Sequence, residues 1–229
     1  DPFQFKDLPK WHPRRLLPTL LARFQDFYSK VRFDAYELPR RCATPLPECP
    51  RFDREDTAIT ERQMQYLWEA AQCALQQQPE GHIVEVGCYR GVTTRALAQA
   101  VAPNEVIGVD PFIGWGGAEA DYARFRRRVG DLQNVTHERK TSGEAARTWE
   151  YGPTCFIFID AVHDYWNTCH DLRVWGQHLS PGGYLAAHDT DQVRFAGTRR
   201  AVYEIADTPS FTLHTHVDNL TILRKNPEL

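Results

Sequence analysis

The chain has 229 residues, 42% of them hydrophobic and 25% charged, which is enough for one sizeable buried core in an ordinary globular composition. A formal charge of −3 and a pI near 6.3 exclude the broad basic face of a nucleic-acid binder and favour small-molecule partners. No run approaches the ~18 apolar residues of a membrane span, and six cysteines without a C-x-x-C pair point to reduced thiols in a cytoplasmic protein, Cys42 and Cys49 being the pair to watch.

The chain opens on Asp1 without a signal-peptide pattern, as a trimmed start or a piece of a larger protein would. Residues 1–56 are rich in proline and carry no strand signal. Within them Leu16, Leu17, Leu20, Leu21, Phe24, Phe27, Tyr28 and Val31 recur at helical spacing and predict an amphipathic helix from about Pro18 to Phe33. Packing on the main domain is its simplest use; a contact between two copies in a homo-oligomer or a cover over the active site are the others. Arg40, Arg41, Pro45, Pro47 and Pro50 then make an irregular linker. Residues 1–56 are therefore read as an extension and 57–229 as the main domain.

A second helix is expected from about Thr60 to Gln77, with Met64, Leu67, Trp68, Ala71 and Leu75 on one face, ended by Pro79, Glu80 and Gly81. The stretch Ile83-Val-Glu-Val-Gly-Cys-Tyr-Arg-Gly91 follows. Its β-branched residues suit a parallel strand covered on both faces. Its glycines allow a sharp turn and close approach of a ligand to the amides that open the next helix.

From there strand and helix patterns alternate: strand 83–87, helix 91–101, strand 105–110, helix 119–129, strand 134–139, helix 142–150, strand 155–160, helix 165–178, strand 182–188, helix 197–206. This is the signature of an α/β protein with a parallel sheet and right-handed crossovers. Phe211 to Val217 and Asn219 to Arg224 are too close together for a crossover and read as an antiparallel hairpin.

The spacing Gly87-x-x-x-Gly91 departs from the G-x-G-x-x-G of dinucleotide sites, and the Gly-Lys-Ser/Thr of a phosphate loop is missing. Asp110 ends the second strand, where a carboxylate can accept hydrogen bonds from ribose hydroxyls. Glu85-Val-Gly-x-x-x-Gly91 and Val106-Ile-Gly-Val-Asp110 together resemble the first two motifs of class I S-adenosylmethionine-dependent methyltransferases. The resemblance implies a Rossmann-like fold, with a mostly parallel seven-stranded sheet in the order 3-2-1-4-5-7-6 and helices on both faces. It also implies S-adenosylmethionine as cofactor, over Glu85, Gly87, Cys88, Tyr89 and Gly91, with Asp110, Pro111, Ser142 and Asp160 completing its site. Thr141-Ser-Gly-Glu144 resembles the segment that meets the adenine, and it also reads as a helix capping box.

Two further strands end in carboxylates, at Asp160 and at Asp189. If these strands are neighbours their ends lie about 4.8 Å apart, where two bare carboxylates repel and one hard cation can serve both. Asp160-Ala-Val-His163-Asp-Tyr165 and Leu179-Ser-Pro-Gly-Gly-Tyr-Leu-Ala-Ala-His188-Asp189 resemble the small-molecule methyltransferases of family 24, relatives of macrocin-type sugar O-methyltransferases and catechol O-methyltransferases. That likeness covers residues 80–225. It implies Asp160 and Asp189 as ligands of Mg²⁺ or another divalent cation, and His163 as the base that takes the proton of an acceptor hydroxyl. Catechol-type enzymes carry Asn after the second Asp, where this chain has Thr190, and His188 and Asp191 are further candidate ligands.

The expected activity is O-methylation of a small hydroxylated molecule, a sugar or natural-product intermediate. The alternatives are a catalytically silent cofactor-binding domain of a larger protein and an NAD-dependent oxidoreductase, the latter disfavoured by the glycine spacing. Pro111 to Asp121, with Ile113 and Trp115, has the composition of a lid, and a cleft between Trp115, His163 and Asp189 is the expected acceptor site. The arginines at 124 and 126–128 read as a solvated helix face, and His214 and His216 as structural.

Overall fold

The computed structural model describes residues 13–42, 51–113 and 117–227. Helices α1 (Pro13–Val31) and α2 (Glu61–Gln77) precede the first strand, β1 (His82–Val86). Then come α3 (Val92–Val101), β2 (Val106–Val109), α4 (Glu119–Val129), β3 (Val135–Glu138), α5 (Ser142–Arg147), β4 (Thr154–Ile159) and α6 (Tyr165–His178). The chain closes with β5 (Leu179–Ala187), α7 (Ala196–Ala206), β6 (Phe211–Val217) and β7 (Leu220–Lys225). The strands form one sheet in the order β3-β2-β1-β4-β5-β7-β6, as the motifs imply. The pairs from β3 through β5 are parallel; β7 runs antiparallel to both β5 and β6.

Alternation of side chains along each strand builds two apolar layers. Ile83, Phe156, Phe158 and Ala186 point into the layer shared with Leu67 and Ala71 of α2 and Leu97 of α3. Val84, Val86, Ile157, Ile159 and Leu185 point into the opposite layer, with Ala145 of α5, Leu172 and Trp175 of α6 and Val202 of α7. Burial on both faces is why these strands are nearly continuous runs of β-branched and aromatic residues. Among the described residues no helix is long and apolar enough to cross a membrane. Cys42, Cys73, Cys88, Cys155 and Cys169 are free thiols; Cys49 lies outside the described residues.

Three expectations change. Helix α5 stops at Arg147 rather than at residue 150, because the Thr148 amide closes its last turn on the Glu144 carbonyl and the Trp149 indole donates to the Gly152 carbonyl, where Gly152 turns at φ +101°. Strand β5 begins at Leu179 rather than at 182: Leu179 pairs with Thr154, and a register shift before Phe156 absorbs Pro181 and Gly182. The N-terminal helix spans Pro13–Val31 and a short 3-10 turn follows at Phe33–Tyr36. It rests on α6 and α7, yet Leu20, Leu21, Phe24, Phe27 and Val31 are exposed, whereas the sequence pattern puts them in a packing face. Polar contacts anchor it instead: Asp26 Oδ1 accepts from the Tyr165 amide at 3.2 Å, and Arg200 donates to Gln25 Oε1 at 2.6 Å and stacks over the Tyr28 and Tyr165 rings. The side chains of Leu16 and Leu17 lie outside the described residues.

At the start of α5 a buried polar chain ties that helix to α6. Trp175 Nε1 donates to Ser142 Oγ at 2.9 Å, and Ser142 Oγ donates to Asp171 Oδ1 at 2.5 Å. Burial pushes the Asp171 carboxyl up to about 6, and the Ser142 hydrogen bond only partly offsets it. A carboxyl raised in the folded state contributes stability that is complete below its unfolded value near 4 and is lost as pH rises through about 6. A shift of about two units corresponds to on the order of 2–3 kcal/mol. Asp171→Asn should therefore gain on wild type by about that amount between pH 4 and pH 7, measured as the difference in urea unfolding free energy. A difference that does not change with pH contradicts this assignment.

Candidate active site

Strand β1 runs out at Val86 and the chain turns at Gly87, whose φ of +93° favours glycine. Space imposes the same choice: a Cβ there would lie 2.1 Å from the Asp160 carbonyl oxygen, so the loop after β1 presses directly on the chain leaving β4. Gly91 at φ +77° starts α3, and a Cβ there would meet the Phe125 ring at 2.9 Å. Between the two glycines the amides of Cys88 and Tyr89 both donate to Asp110 Oδ2 at 3.0 Å, and the Phe112 amide donates to Asp110 Oδ1 at 2.7 Å. Asp110 thus holds the loop in shape, and Oδ1 keeps a free lone pair.

The other candidate cofactor residues differ in accessibility. Tyr89, at φ +47°, is exposed, with the Arg90 guanidinium 4.7 Å from its ring centre. Pro111 continues from Asp110 at the same edge. Cys88 is buried, its sulfur 3.8 Å from the Glu85 carbonyl, and burial pushes its thiol well up. Glu85 lies behind the loop at 1% exposure, accepting from Thr94 Oγ1, and burial drives its carboxyl well above the usual range. The Ser142 hydroxyl is engaged with Asp171 and Trp175. The capping box at Thr141 is present: the Glu144 amide donates to Thr141 Oγ1 at 3.3 Å and Glu144 Oε2 accepts from the Thr141 amide at 3.0 Å.

The parallel register of β4 and β5 brings the second group together. Ile159 pairs with Ala187, so Asp160 leaves the sheet level with His188, and Asp189 follows at the same edge. His163 Nε2 lies 3.1 Å from Asp160 Oδ1 and 3.0 Å from Asp189 Oδ2. One donor atom from each of Asp160, His163 and Asp189 falls within 4.8 Å of the other two, a set of oxygen and nitrogen donors that fits a divalent cation. Burial opposes ionisation of Asp160, but His188 and His163 outweigh it and hold the carboxyl below its usual range. Burial likewise disfavours the charged form of His163, yet hydrogen bonds and charge from Asp160 and Asp189 carry it up to about 9. His188 is 2% exposed, and neither ring nitrogen has a hydrogen-bond partner.

Supporting side chains absent from the sequence reading complete the picture. Asp189, at φ +57°, receives on Oδ1 hydrogen bonds from Asn219 Nδ2 at 2.8 Å and Gln192 Nε2 at 2.9 Å. Asn219 in turn accepts from Gln63, a buried residue of the Thr60 capping box that opens α2. No sequence spacing links positions 63, 189 and 219; only the sheet brings them together. Asp191 is engaged elsewhere, paired with Arg40 and Arg199. Arg124 and Arg128 pair with Asp56 at 3.2 and 2.9 Å beside a cavity of about 820 Å³ between α3, α4 and residues 51–56, so the arginine face is only partly solvated.

Among the described residues outside α1, the exposed large apolar residues are Tyr89, Ile113, Val162, Trp166 and Val193, each in a segment following β1, β2, β4 or β5. They form an apolar rim at the carboxyl edge of the sheet, where an open α/β fold binds its ligands. Trp115, expected to wall the acceptor cleft, lies outside the described residues. Because Gly87 meets backbone rather than a movable side chain, Gly87→Ala should lower the urea unfolding free energy by more than about 2 kcal/mol. An unchanged unfolding midpoint contradicts the close approach to Asp160.

Residues 84–190 match the family described as a methyltransferase domain. Among solved structures the fold is similar to an O-methyltransferase from Bacillus cereus in complex with S-adenosylhomocysteine, at 17% identity and a TM-score of 0.59, covering 89% of this chain and 91% of that one. It is similar to TomG, the tomaymycin-synthesis O-methyltransferase of Streptomyces achromogenes, in complex with S-adenosylmethionine, at 14% identity and 0.59, covering 89% and 90%. The O-methyltransferase NovP aligns at 18% identity and 0.61, covering 75% of this chain and 83% of its own. No curated protein matches the chain by sequence. The matched domain, the glycine loop with its partner acid, and the sheet order together make residues 84–190 a methyltransferase domain on a Rossmann-like methyltransferase fold.

Proposed function

We propose that the protein is an O-methyltransferase that moves the methyl group of S-adenosylmethionine to a hydroxyl of a small molecule, with a divalent cation at Asp160 and Asp189 and His163 as general base. The observation that carries the reading is the meeting of Asp160, His163 and Asp189 at the sheet's carboxyl edge, against the glycine loop. In this reading the cofactor lies over Gly87, Cys88, Tyr89 and Gly91. Asp110 accepts from a ribose hydroxyl through the lone pair left on Oδ1. Pro111 and Ser142 flank the adenine, Glu85 supports the loop from behind, and Asp160 touches both halves of the site. Residues 1–56 form the extension and 57–229 the catalytic domain. The rim of Tyr89, Ile113, Val162, Trp166 and Val193 favours an acceptor whose hydroxyl sits on an apolar or aromatic body.

The proton chemistry follows from charge. A histidine held at about 9 by two carboxylates keeps its proton at neutral pH and cannot act as a base. A divalent cation held by Asp160 and Asp189 would neutralise that pair and lower the pKa of the acceptor hydroxyl. With the carboxylate charge so offset, His163 Nε2 would be free to take the hydroxyl proton. The acceptor oxygen then forms a bond to the methyl carbon as the carbon–sulfur bond breaks, and the electron pair stays on sulfur, leaving a thioether. No covalent enzyme intermediate is involved, so the protein's remaining task is alignment of oxygen, carbon and sulfur. The Asn219 and Gln192 hydrogen bonds to Asp189 serve that task by fixing one wall of the site.

His163→Ala tests the assignment. Turnover should fall by about 10²–10⁴-fold, the range of a lost general base. S-adenosylhomocysteine affinity, measured by calorimetry, should stay within about twofold, a small change on the free-energy scale. Retained turnover removes His163 as the base.

A further inference from the structure

We infer that His188 is a third protein ligand of the cation site, and that the site therefore prefers a borderline transition ion of the manganese, iron, cobalt or zinc class to Mg²⁺. The inference rests on the cation reading above and concerns which ion that site takes.

His188 is the residue immediately before Asp189, at the end of a central strand, and its amide donates to the Ile159 carbonyl at 3.1 Å. The backbone thus fixes its side chain at the carboxyl edge between β4 and β5. The ring is buried, and a buried imidazole ordinarily spends at least one nitrogen on a hydrogen bond. Here both nitrogens lack one. Nδ1 lies 3.5 Å from Asp160 Oδ1 and 3.7 Å from Asp189 Oδ1, at the limit of hydrogen bonding or beyond it. Ligands held about 2.1 Å from one ion stand roughly 3.0–3.4 Å apart, so the 3.5 Å separation from Asp160 Oδ1 lies close to an edge of a coordination polyhedron, while Asp189 offers the ion its Oδ2, the oxygen that faces His163.

The two histidines of the site differ in a way that separates their roles. His163 is partly exposed, engages both carboxylates and lies 4.6 Å from the Phe195 ring. It is the histidine an acceptor can reach. His188 is screened from solvent and faces the Asp160 carboxylate at 3.5 Å, so it can serve a bound ion but not an acceptor hydroxyl. A donor set of two carboxylates and an imidazole changes the chemistry of selection. Mg²⁺ is a hard ion that favours oxygen ligands and retains its waters, whereas imidazole nitrogen suits the later divalent ions.

The full chain loaded with Mn²⁺ gives a readout independent of turnover. Pulsed electron paramagnetic resonance should detect a directly bound imidazole nitrogen, absent in His188→Asn and retained in His163→Asn. Calorimetry should find Mn²⁺ bound at least about tenfold more tightly than Mg²⁺, with His188→Asn closing most of that gap. Mn²⁺ that binds without nitrogen coupling, or a nitrogen signal that vanishes with His163→Asn rather than His188→Asn, overturns the inference while leaving the cation reading intact. The spectrum of the wild-type protein decides the first point even if His188→Asn does not fold. Absence of binding by Mn²⁺, Mg²⁺ and Zn²⁺ alike overturns the cation reading itself, and the inference with it.

Discussion

The carboxylate of Asp110 accepts from the amides of Cys88 and Tyr89, and through those two bonds the end of β2 dictates the path of the loop that leaves β1, while the Phe112 amide fixes the carboxylate itself. Charge-assisted hydrogen bonds of this kind are stronger than neutral ones, and two adjacent amides held by one carboxylate leave the loop little freedom. The consequence reaches across the sheet. A loop held in that path places Gly87 against the Asp160 carbonyl, so the segment that shapes the expected donor site also packs on the residue that begins the acceptor site. The cofactor reading and the chemistry reading are thus mechanically joined through one glycine.

A second constraint comes from parallel pairing. Because β4 and β5 run in the same direction with Ile159 opposite Ala187, Asp160 leaves β4 at the same edge as His188 and Asp189 leave β5. The fold cannot move the two aspartates apart. It compensates with His163 between them, His188 beside them, and neutral amides from Asn219 and Gln192 on the outer oxygen of Asp189. The protonated imidazole that stabilises this arrangement is the wrong form for a base. A cation is the species that would let the same residues hold together and still accept a proton, which is why metal, base and carboxylate pair form a single proposal.

The strands and their ends were legible in the chain because β-branched runs, glycine turns and terminal acids are local signals, whereas the order of the strands followed only from the family resemblance. Strand ends at Asp110, Asp160 and Asp189 follow once the strands are recognised. Contacts that depend on which distant segments meet were not legible. Gln63, Asn219 and Asp189 form one hydrogen-bonded series across α2, the β6–β7 turn and the end of β5, and Asp191 is drawn from the site by Arg40 and Arg199. Helix α1 shows the opposite difficulty. Its apolar spacing is clear, but periodicity reports a face and not its occupant, and this helix is anchored by Gln25, Asp26 and Tyr28 while its leucines and phenylalanines remain exposed. The early stop of α5 and the early start of β5 were set by single hydrogen bonds and a register shift that no window average reports.

The central claim is that the loop held by Asp110 forms a site for the adenosyl donor and not for a dinucleotide. Calorimetric titration of the protein with S-adenosylhomocysteine and with NAD, side by side, tests it most directly. The account predicts saturable one-to-one binding of S-adenosylhomocysteine and no response to NAD. Saturable binding of NAD with no response to S-adenosylhomocysteine would contradict it.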